Sequence, residues 1–321
     1  MRGRIWMVSL AVMGCLAGGC AASHKTVVKP GQAPAAAQSA TREQLIERYN
    51  TQANAVLTLN AGVAMKLTSG SAYSGVIEQY HEVNGFLLAA KPASIRVIGQ
   101  APVIAKNIFD MVSDGQTFEI SIPSKHKFVV GPVDVARQSA KPIENLRPQH
   151  LTEALLWAPI LAGGVVLIEE SSESNVRYYV LTIIRPAGGT DSAGTTGGTT
   201  FEIVKKVWFE RGELQVSRVE TYEHGGAVGS DVRYSDWQTS GGSGDAAGRS
   251  VGAALVRYPR EIDIARPGED YQLAIHINKL TLNEPIPGDR FTLKQPPGSD
   301  LVRISEDGSQ KTEPANKEPQ P

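Results

Sequence analysis

The sequence predicts an α+β fold dominated by an antiparallel sheet of about ten or eleven strands. Many segments carry apolar residues at every second position, which is typical of strands with one apolar face and one wetter face. Tight-turn dipeptides separate these segments, and strands joined by such turns are antiparallel by construction. Two amphipathic helices complete the pattern. Together these observations favour a curved sheet with helices over its apolar concave face, rather than a closed barrel.

The first 19 residues are predicted to be a signal peptide. Arg2 and Arg4 give a positively charged start. The apolar run that follows, from Ile5 to Leu16, is short for a segment that spans a bilayer. This combination indicates export from the cytoplasm.

Leu16-Ala17-Gly18-Gly19-Cys20 resembles a lipobox, the motif that is cut just before a cysteine carrying lipid. We therefore predict that residues 1–19 are removed and that Cys20 carries acyl chains such as palmitate. Residues 20–40 are rich in Ala, Pro and Gln and are predicted to be a flexible tether. The alternatives are an ordinary secretory signal and cleavage before Cys15.

Two helices are expected. Thr41-Arg42-Glu43-Gln44 is a capping-box pattern. The residues that follow it at helical spacing are Leu45, Tyr49, Ala53, Val56 and Leu59. A second helix is expected to start near Pro148, a favoured first-turn residue, and to carry Leu151, Ala154 and Leu155 on one face.

Strand-like alternation is clearest over residues 63–68, 117–122 and 272–277. The turn signals between strands are Asn84-Gly85, Asp114-Gly115, Pro123-Ser124, Arg211-Gly212 and Gly225-Gly226. The globular domain is therefore placed at residues 41–303.

Three segments have low complexity. Residues 186–200 and 241–252 are rich in Gly, Ser and Thr and fall between strand-like segments, so they are interpreted as long, mobile hairpin loops. Residues 304–321 lack the apolar side chains that offset ordering entropy, and a disordered tail is predicted there.

Composition excludes several classes of function. The formal net charge is −1, so there is no basic field to hold nucleic acid. Charged residues interrupt every apolar run after residue 20, so no transmembrane helix is expected. The two cysteines, Cys15 and Cys20, lie in or beside the signal, so no intrachain disulfide is expected. No metal or cofactor is expected, since the six histidines form no HxxxH or HxH pair and no phosphate-binding loop occurs.

One motif points to an enzyme, but its context is wrong. Gly248-Arg249-Ser250-Val251-Gly252 matches G-x-S-x-G, and Asp263 and His276 follow in hydrolase order. That motif needs a strand before the serine and a helix after it. Here a loop precedes Ser250 and a strand-like segment follows, so no catalytic residue is predicted.

Short motifs in a fixed order resemble a known superfamily. Gly85-Phe86-Leu87-Leu88 is followed by Pro92 and Arg96, and Asp114-Gly115-Gln116-Thr117-Phe118 by Pro123. The C-terminal part adds Val207-Trp208-Phe209-Glu210, Tyr234-Ser235-Asp236-Trp237, Phe291-Thr292-Leu293 and Pro296. Over residues 41–296 this order is similar to the LolA/LolB-like lipoprotein-sorting superfamily. The two low-complexity loops depart from the family pattern and lengthen the domain.

The resemblance implies a half-barrel sheet around an apolar cavity, with the helices as a lid. In that family the cavity receives acyl chains of lipoproteins or related lipids. The candidate lining residues on the predicted strands are Val63, Met65, Leu67, Ile77, Val97, Phe118, Ile120, Ile122, Leu273, Ile275 and Ile277. Alternation by itself is equally compatible with a filled core under the helices.

The resemblance also implies a location and partners. Lipid-anchored members act as acceptors or as companions of a soluble periplasmic carrier. Ala21 follows Cys20 in place of Asp, and the sorting rule of some Gram-negative bacteria then favours the periplasmic face of the outer membrane. The apolar connection Pro102-Val103-Ile104 is a candidate contact with membrane or partner. The alternative is that Val103 and Ile104 tuck under the sheet edge.

Two functions from different classes stay open on the sequence alone. One is a lipid-anchored envelope protein that binds acyl chains in an apolar cavity, as acceptor or carrier in lipoprotein or lipid trafficking. The other is a non-enzymatic scaffold lipoprotein of an envelope complex, with a filled core. A continuous apolar void open to solvent favours the first function, and a filled interior favours the second.

Overall fold

A computed structural model of the chain describes residues 36–71, 76–101, 106–134, 146–187, 200–240 and 256–315. These ranges contain two α-helices, α1 (Arg42–Ala55) and α2 (Pro148–Leu155), and 16 strands of one sheet. The strands are β1 (Thr58–Ser71), β2 (Val76–Gln79), β3 (Val83–Ala90), β4 (Ser94–Gln100), β5 (Asn107–Ser113), β6 (Thr117–Ile122), β7 (Lys127–Pro132), β8 (Val165–Glu173), β9 (Val176–Pro186), β10 (Phe201–Glu210), β11 (Gln215–Tyr222), β12 (Val228–Ser240), β13 (Val256–Arg266), β14 (Tyr271–Leu282), β15 (Asp300–Ile304) and β16 (Gln310–Glu313).

Helix α1 begins with the capping box that the sequence predicts. Thr41 Oγ1 accepts a hydrogen bond from Gln44 N, and Gln44 Oε1 accepts one from Thr41 N at 2.9 Å. These two bonds satisfy backbone donors that have no partner within the helix. The helix buries Leu45, Tyr49 and Ala53 on one face, as the periodicity predicts.

The end of α1 differs from the prediction. The helix stops at Ala55, and Leu59, which was expected to continue its apolar face, lies in β1. The chain turns here because Asn283 Nδ2 donates to Ala55 O at 2.7 Å and Asn283 Oδ1 accepts from Leu57 N at 2.8 Å. A residue more than 200 positions away therefore ends the helix, which local spacing does not reveal.

Helix α2 forms where it was predicted. Pro148 occupies its first turn, and Leu151, Ala154 and Leu155 are buried. His150 and Thr152 are buried as well, so most of this short helix faces protein.

The strands form one open sheet across the described ranges. Its order is β16-β15-β7-β6-β5-β4-β3-β1-β14-β13-β12-β11-β10-β9-β8, and β2 pairs with β1 outside this path. Neighbours pair antiparallel, apart from the parallel pair of β7 and β15. The path ends at β8 and β16, so the sheet does not close. The prediction of a mostly antiparallel sheet with few helices is confirmed.

The predicted number of strands is too low. Strands β2, β15 and β16 have only four or five residues each. Such short segments contain too few alternations for periodicity to identify them. Their strand conformation follows from pairing: β2 pairs with β1, β15 with β7, and β16 with β15.

The predicted disordered tail begins too early. Ile304 ends β15, and residues 310–313 form β16, which pairs with β15 as a hairpin. Strand β15 is attached to β7 and buries Val302. Backbone pairing at a sheet edge offsets the ordering entropy that composition alone leaves uncompensated. Residues 316–321 lie outside the described residues.

The two predicted hairpin loops lie largely outside the described residues. Strands β9 and β10, which flank residues 188–199, pair antiparallel, and so do β12 and β13, which flank residues 241–255. Each segment therefore connects the two strands of a hairpin.

One buried cluster joins the helices to the sheet. Its members come from both helices and from both halves of the sheet, and include Leu45, Tyr49, Leu151, Leu155, Val63, Ile95, Leu181 and Phe209. Two side-chain hydrogen bonds also connect the helices to opposite parts of the sheet. Arg42 Nη1 donates to Val166 O of β8 at 3.4 Å, and Gln149 Nε2 donates to Val133 O, just after β7, at 3.0 Å.

Candidate functional site

Three aromatic donors hold the C-terminal end of α2. The last carbonyls of a helix have no partner within the helix. Tyr258 Oη donates to Leu155 O at 2.8 Å, while Tyr234 Oη and Trp157 Nε1 donate to Ala154 O at 3.0 and 3.2 Å. All three aromatic side chains are buried. These bonds therefore fix α2 over strands β12 and β13.

Trp157 and Tyr234 also form an aromatic cluster with Tyr49 of α1 and Trp237. The rings of Tyr49 and Trp157 are stacked, with centroids 5.3 Å apart. Tyr234 and Trp237 meet the Trp157 ring edge-on at 5.0 and 6.0 Å. Burial raises the pKa of both Tyr49 and Tyr234, so their hydroxyls stay protonated. The cluster is uncharged and packed, and its residues Tyr49, Trp157 and Tyr234 line the adjacent cavity.

A cavity of about 1010 Å³ lies beside α2 and strands β10, β11 and β12. Its apolar and aromatic lining residues include Tyr49, Val133, Ala154, Leu156, Trp157, Val204, Val219, Val228, Val232 and Tyr234. Its charged lining residues are Asp134, Arg147, Glu153, Arg185, Lys205, Glu223, Arg266 and Glu269. Arg185, Glu223 and Ala227 are exposed, so the cavity opens to solvent on their side. The lining combines an apolar part with balanced charges.

The inner face of the sheet changes from apolar to polar at this cavity. The apolar row consists of Val207, Val219 and Val232, which are partners across β10, β11 and β12 and are all buried. The polar row, two positions away on each strand, consists of Lys205, Thr221 and Ser230. Both rows lie on the same face because side chains alternate along a strand. Every member of the polar row lines the cavity.

A buried polar network stands at the N-terminal end of α2. Arg266 donates twice to the Glu269 carboxylate, at 2.6 and 2.7 Å. His150 Nδ1 lies 2.6 Å from Tyr271 Oη, and its Nε2 lies 3.8 Å from Glu269 Oε1. Burial, reinforced by Arg266 and Arg147, lowers the pKa of His150 to about 3. The imidazole is therefore neutral near pH 7 and shares a hydrogen bond with the Tyr271 hydroxyl.

Lys205 brings a positive charge to the cavity wall. Its Nζ lies 3.5 Å from Tyr49 Oη and 5.8 Å from the centroid of that ring. Within the described part of the chain, no carboxylate oxygen approaches this Nζ to within 4.0 Å. Burial lowers the pKa of Lys205, and Glu153 opposes that shift. Glu153 also lines the cavity and is exposed to solvent.

None of the predicted lining residues borders this cavity. Six are buried in the shared core cluster: Val63, Met65, Val97, Leu273, Ile275 and Ile277. Leu67 and Ile120 pack against that cluster, Phe118 is buried, Ile122 is half-buried, and Ile77 on β2 is 60% exposed. The wall of the cavity is therefore not the predicted one, because alternation identifies an inward face but not where a helix leaves space. The part of the predicted lining residues in acyl binding stays a prediction.

Other predicted functional residues fall elsewhere. Cys20, Ser250 and the connection Pro102–Ile104 lie outside the described residues. Asp263 and His276 occupy the neighbouring strands β13 and β14, where His276 Nδ1 contacts Glu261.

Sequence reasoning missed the residues that build the cavity. Lys205 occupies the same strand phase as Val207 and Phe209, both of them fully buried. A charged residue at a position where the alternation of β10 places apolar residues is the signal that could have identified Lys205. His150 and Trp157 gave no comparable signal, because their partners Tyr271 and Tyr234 lie 121 and 77 positions away.

The described residues define an open, mostly antiparallel β protein with two helices and an internal cavity. Neither helix in these ranges is long and apolar enough to cross a bilayer. In the same ranges, no group of three or more His, Cys, Asp or Glu side chains is placed to hold a metal ion.

Three of the solved structures that are similar to this chain are the following. A LolA superfamily protein from Nitrosomonas europaea is 12% identical, with a TM-score of 0.43, over 79% of this chain and 99% of that one. A DUF1329 family protein from Desulfovibrio piger is 11% identical, with a TM-score of 0.45, over 77% and 94%. A putative outer membrane lipoprotein-sorting protein domain from Vibrio parahaemolyticus is 10% identical, with a TM-score of 0.44, over 77% and 95%. No protein-family model and no curated protein matches the chain.

Proposed function

We propose that this protein binds acyl chains of lipoproteins or lipids and acts as an acceptor or carrier in their trafficking through the cell envelope. The observation that carries the proposal is the cavity of about 1010 Å³ beside α2. Its volume is at the upper end of the range for small-molecule sites, about 300–1,000 Å³. We propose a binding role without catalysis.

The contacts of the helices support a half-barrel shape. A flat sheet spaces neighbouring strands about 4.8 Å apart, so β7 and β8 at opposite ends of a thirteen-strand run would be separated by roughly 58 Å. The two helices nevertheless contact Val166 of β8 and Val133 beside β7, and they share one core cluster. We therefore infer that the sheet curls around the helices, with α1 and α2 over its concave face.

The lining suits a ligand that is apolar at one end and polar at the other. Val219, Val232, Leu156 and Trp157 offer apolar surface, and each buried methylene contributes about 0.8 kcal/mol. Roughly ten methylenes then exceed the lower estimates of the cost of association, about 4 kcal/mol. Gln149 Oε1 is buried at this cavity and has no hydrogen-bond partner among the described residues, so a bound ligand or water is able to satisfy it.

The scaffold alternative requires a filled interior. Residues of β1, β3 and β4 are buried in the core cluster, but a cavity lies beside α2. A preformed cavity with an apolar part therefore favours ligand binding over a purely structural role.

A cavity-blocking substitution tests the proposal. In Val219→Trp the indole has room in the cavity, so we expect a free energy of unfolding within about 1 kcal/mol of the parent and loss of acyl binding. Binding is measured on the full-length protein in phosphatidylcholine nanodiscs, by photolabelling with a diazirine fatty acid and mapping the labelled peptides by mass spectrometry.

The matched control is Val216→Trp on the same strand. Val216 is buried in the core cluster and does not line the cavity, so overpacking should cost about 1–3 kcal/mol without blocking the label. If the parent protein shows no label at cavity residues, or if Val219→Trp is labelled like the parent, the acyl-binding proposal is wrong.

We further propose that Cys20 anchors the protein to the outer membrane, with Ala21 as the sorting residue. Several acyl chains on one cysteine bind a membrane almost permanently, because each methylene adds about 0.8 kcal/mol. Cys20→Ser is expected to give a soluble or unprocessed protein without acyl mass. Cys15→Ser, inside the apolar run, should leave fractionation and mass unchanged. Recovery of Cys20→Ser in the membrane pellet with the acyl mass would contradict the assignment.

A soluble periplasmic carrier is the partner we propose for the exchange of acyl chains. The apolar connection Pro102-Val103-Ile104 is the proposed contact with that carrier or with the membrane.

A further inference from the structure

Resting on the proposed function, we propose that the Lys205 ammonium binds the anionic headgroup of an acyl ligand, a carboxylate or a phosphate. The chain of that ligand would lie along the apolar row and Trp157. The juxtaposition that carries this inference is the polar row next to the apolar row on one face of the sheet.

Lys205 is better placed for this role than Arg266 or Arg185, two other cations of the cavity wall. Arg266 is held by two hydrogen bonds to Glu269, and Arg185 by one to Glu202 at 2.6 Å. Among the described residues, the closest polar contact of Lys205 Nζ is the Tyr49 hydroxyl at 3.5 Å, which is at the limit for a hydrogen bond. Lys205 is half-buried, and a half-buried ammonium without a direct ion pair gains more from a bound anion than a paired guanidinium does.

The surroundings of Lys205 orient the ligand. Thr221 and Ser230 continue the polar row and supply hydroxyls beside the ammonium. Val219 and Val232 stand one step deeper on the same face, and Trp157 closes the aromatic side. A headgroup at the polar row therefore directs the acyl chain away from the exposed rim at Glu223 and Ala227.

The opposing charge in the cavity is Glu153. It interacts with Lys205 through space, beyond the distance of a direct ion pair. Glu153 is exposed to solvent, and water screens its charge, which limits its competition with an incoming anion.

Competition for the cavity label tests this inference. The full-length protein in phosphatidylcholine nanodiscs is photolabelled with a diazirine long-chain alcohol, and dodecanoate, dodecyl phosphate or dodecanol is added as competitor. In Lys205→Met, displacement should require about tenfold more dodecanoate or dodecyl phosphate than in the parent, whereas dodecanol should be unaffected. Partition of each competitor into the bilayer is the same for every variant, so it does not alter the comparison.

Two controls separate the charge from the fold. Lys206→Met removes the adjacent lysine on the other face of β10, which lies 3.8 Å from Glu169, and should change none of the three competitions. Lys205→Arg retains the charge and should keep most of the preference. If Lys205→Met does not fold, Lys205→Gln, which retains a donor towards Tyr49, replaces it.

The outcomes are distinct. A shift for both anions or for one of them supports the inference, and the larger shift identifies the headgroup class. Equal competition by dodecanoate and dodecyl phosphate in the parent and in Lys205→Met overturns it, while an intact alcohol label leaves the proposed function standing. Absence of the alcohol label from the parent overturns both.

Discussion

Lowering the pH from about 6.5 towards 3 should destabilise this protein through His150. The pKa of His150 is lowered to about 3 in the folded state, chiefly by burial and then by Arg266 and Arg147, while the unfolded chain titrates near 6.5. Above pH 6.5 the imidazole is neutral in both states and its contribution is constant. Below pH 6.5 the unfolded state binds a proton that the folded state does not. The free energy of unfolding then falls by up to about 1.4 kcal/mol per pH unit until the pH approaches 3.

The neighbours of His150 allow this effect to be isolated. The groups that face it are Tyr271, Glu269, Arg266 and Arg147. His150→Asn retains an acceptor for the Tyr271 hydroxyl but has no ionisable ring. Urea unfolding between pH 7.5 and 5 should therefore show a loss smaller by about 2 kcal/mol in this variant than in the parent.

The exposed His81 provides a matched control for the pH experiment. His81→Asn should follow the parent curve, since it removes an imidazole that is not buried. Parallel curves for the parent and His150→Asn would contradict the role assigned to His150.

Replacing Trp157 by Ala should cost about 3–5 kcal/mol of stability, the range for deleting a large buried aromatic residue. Trp157 is 7% exposed and packs against Tyr49, Tyr234 and Trp237. Its Nε1 also donates to Ala154 O and to Tyr234 Oη, so the substitution removes one of the three donors that hold α2. Because the same ring lines the cavity, acyl labelling should weaken as well.

Trp157→Phe separates the contribution of ring packing from that of the indole N–H hydrogen bonds. It keeps an aromatic ring near Tyr49 but removes the indole N–H, so a smaller loss of about 1–2 kcal/mol is expected. Thermal and urea unfolding of the parent and both variants measure these differences. Equal stability of Trp157→Ala and the parent would show that α2 does not depend on this cluster.

The motif residues of the superfamily resemblance have structural roles in this chain. Arg96 Nε and Nη2 donate to Asp110 on the adjacent strand β5 at 3.0 and 2.7 Å, and Arg96 Nη1 donates to Arg290 O at 2.9 Å. Asp114 Oδ1 accepts from the backbone N of Gln116 and of Thr117, which stabilises the turn between β5 and β6. Such motifs identify a fold, because they fix turns and strand pairs rather than a ligand.

The features that the sequence predicted correctly are local. The capping box of α1 and the first-turn proline of α2 involve residues within four positions of each other. The antiparallel hairpins follow from alternation and turn residues, and the described strands pair accordingly. Local backbone preference and the side-chain period are sufficient for these features.

Composition and periodicity failed where partners are distant in the chain. Asn283 ends α1, and β7 orders the segment that was expected to be a disordered tail. Both errors have one cause: hydrogen bonds to remote backbone groups stabilise a conformation that the segment alone does not favour.

The cavity was decided by tertiary structure alone. Val63, Ile275 and Val219 all belong to the buried core cluster, yet of these three only Val219 borders the cavity. Whether an inward residue meets a void depends on where α2 is held. Tyr234 and Tyr258 hold it through hydrogen bonds 80 and 103 positions apart in the chain, and Trp157 holds it from just beyond its end. The sequence by itself determined which face of each strand is apolar, because that is a property of neighbouring residues. The position of the cavity and the charge at its wall followed only from the packing of distant elements, because volume and desolvation are properties of the assembled fold.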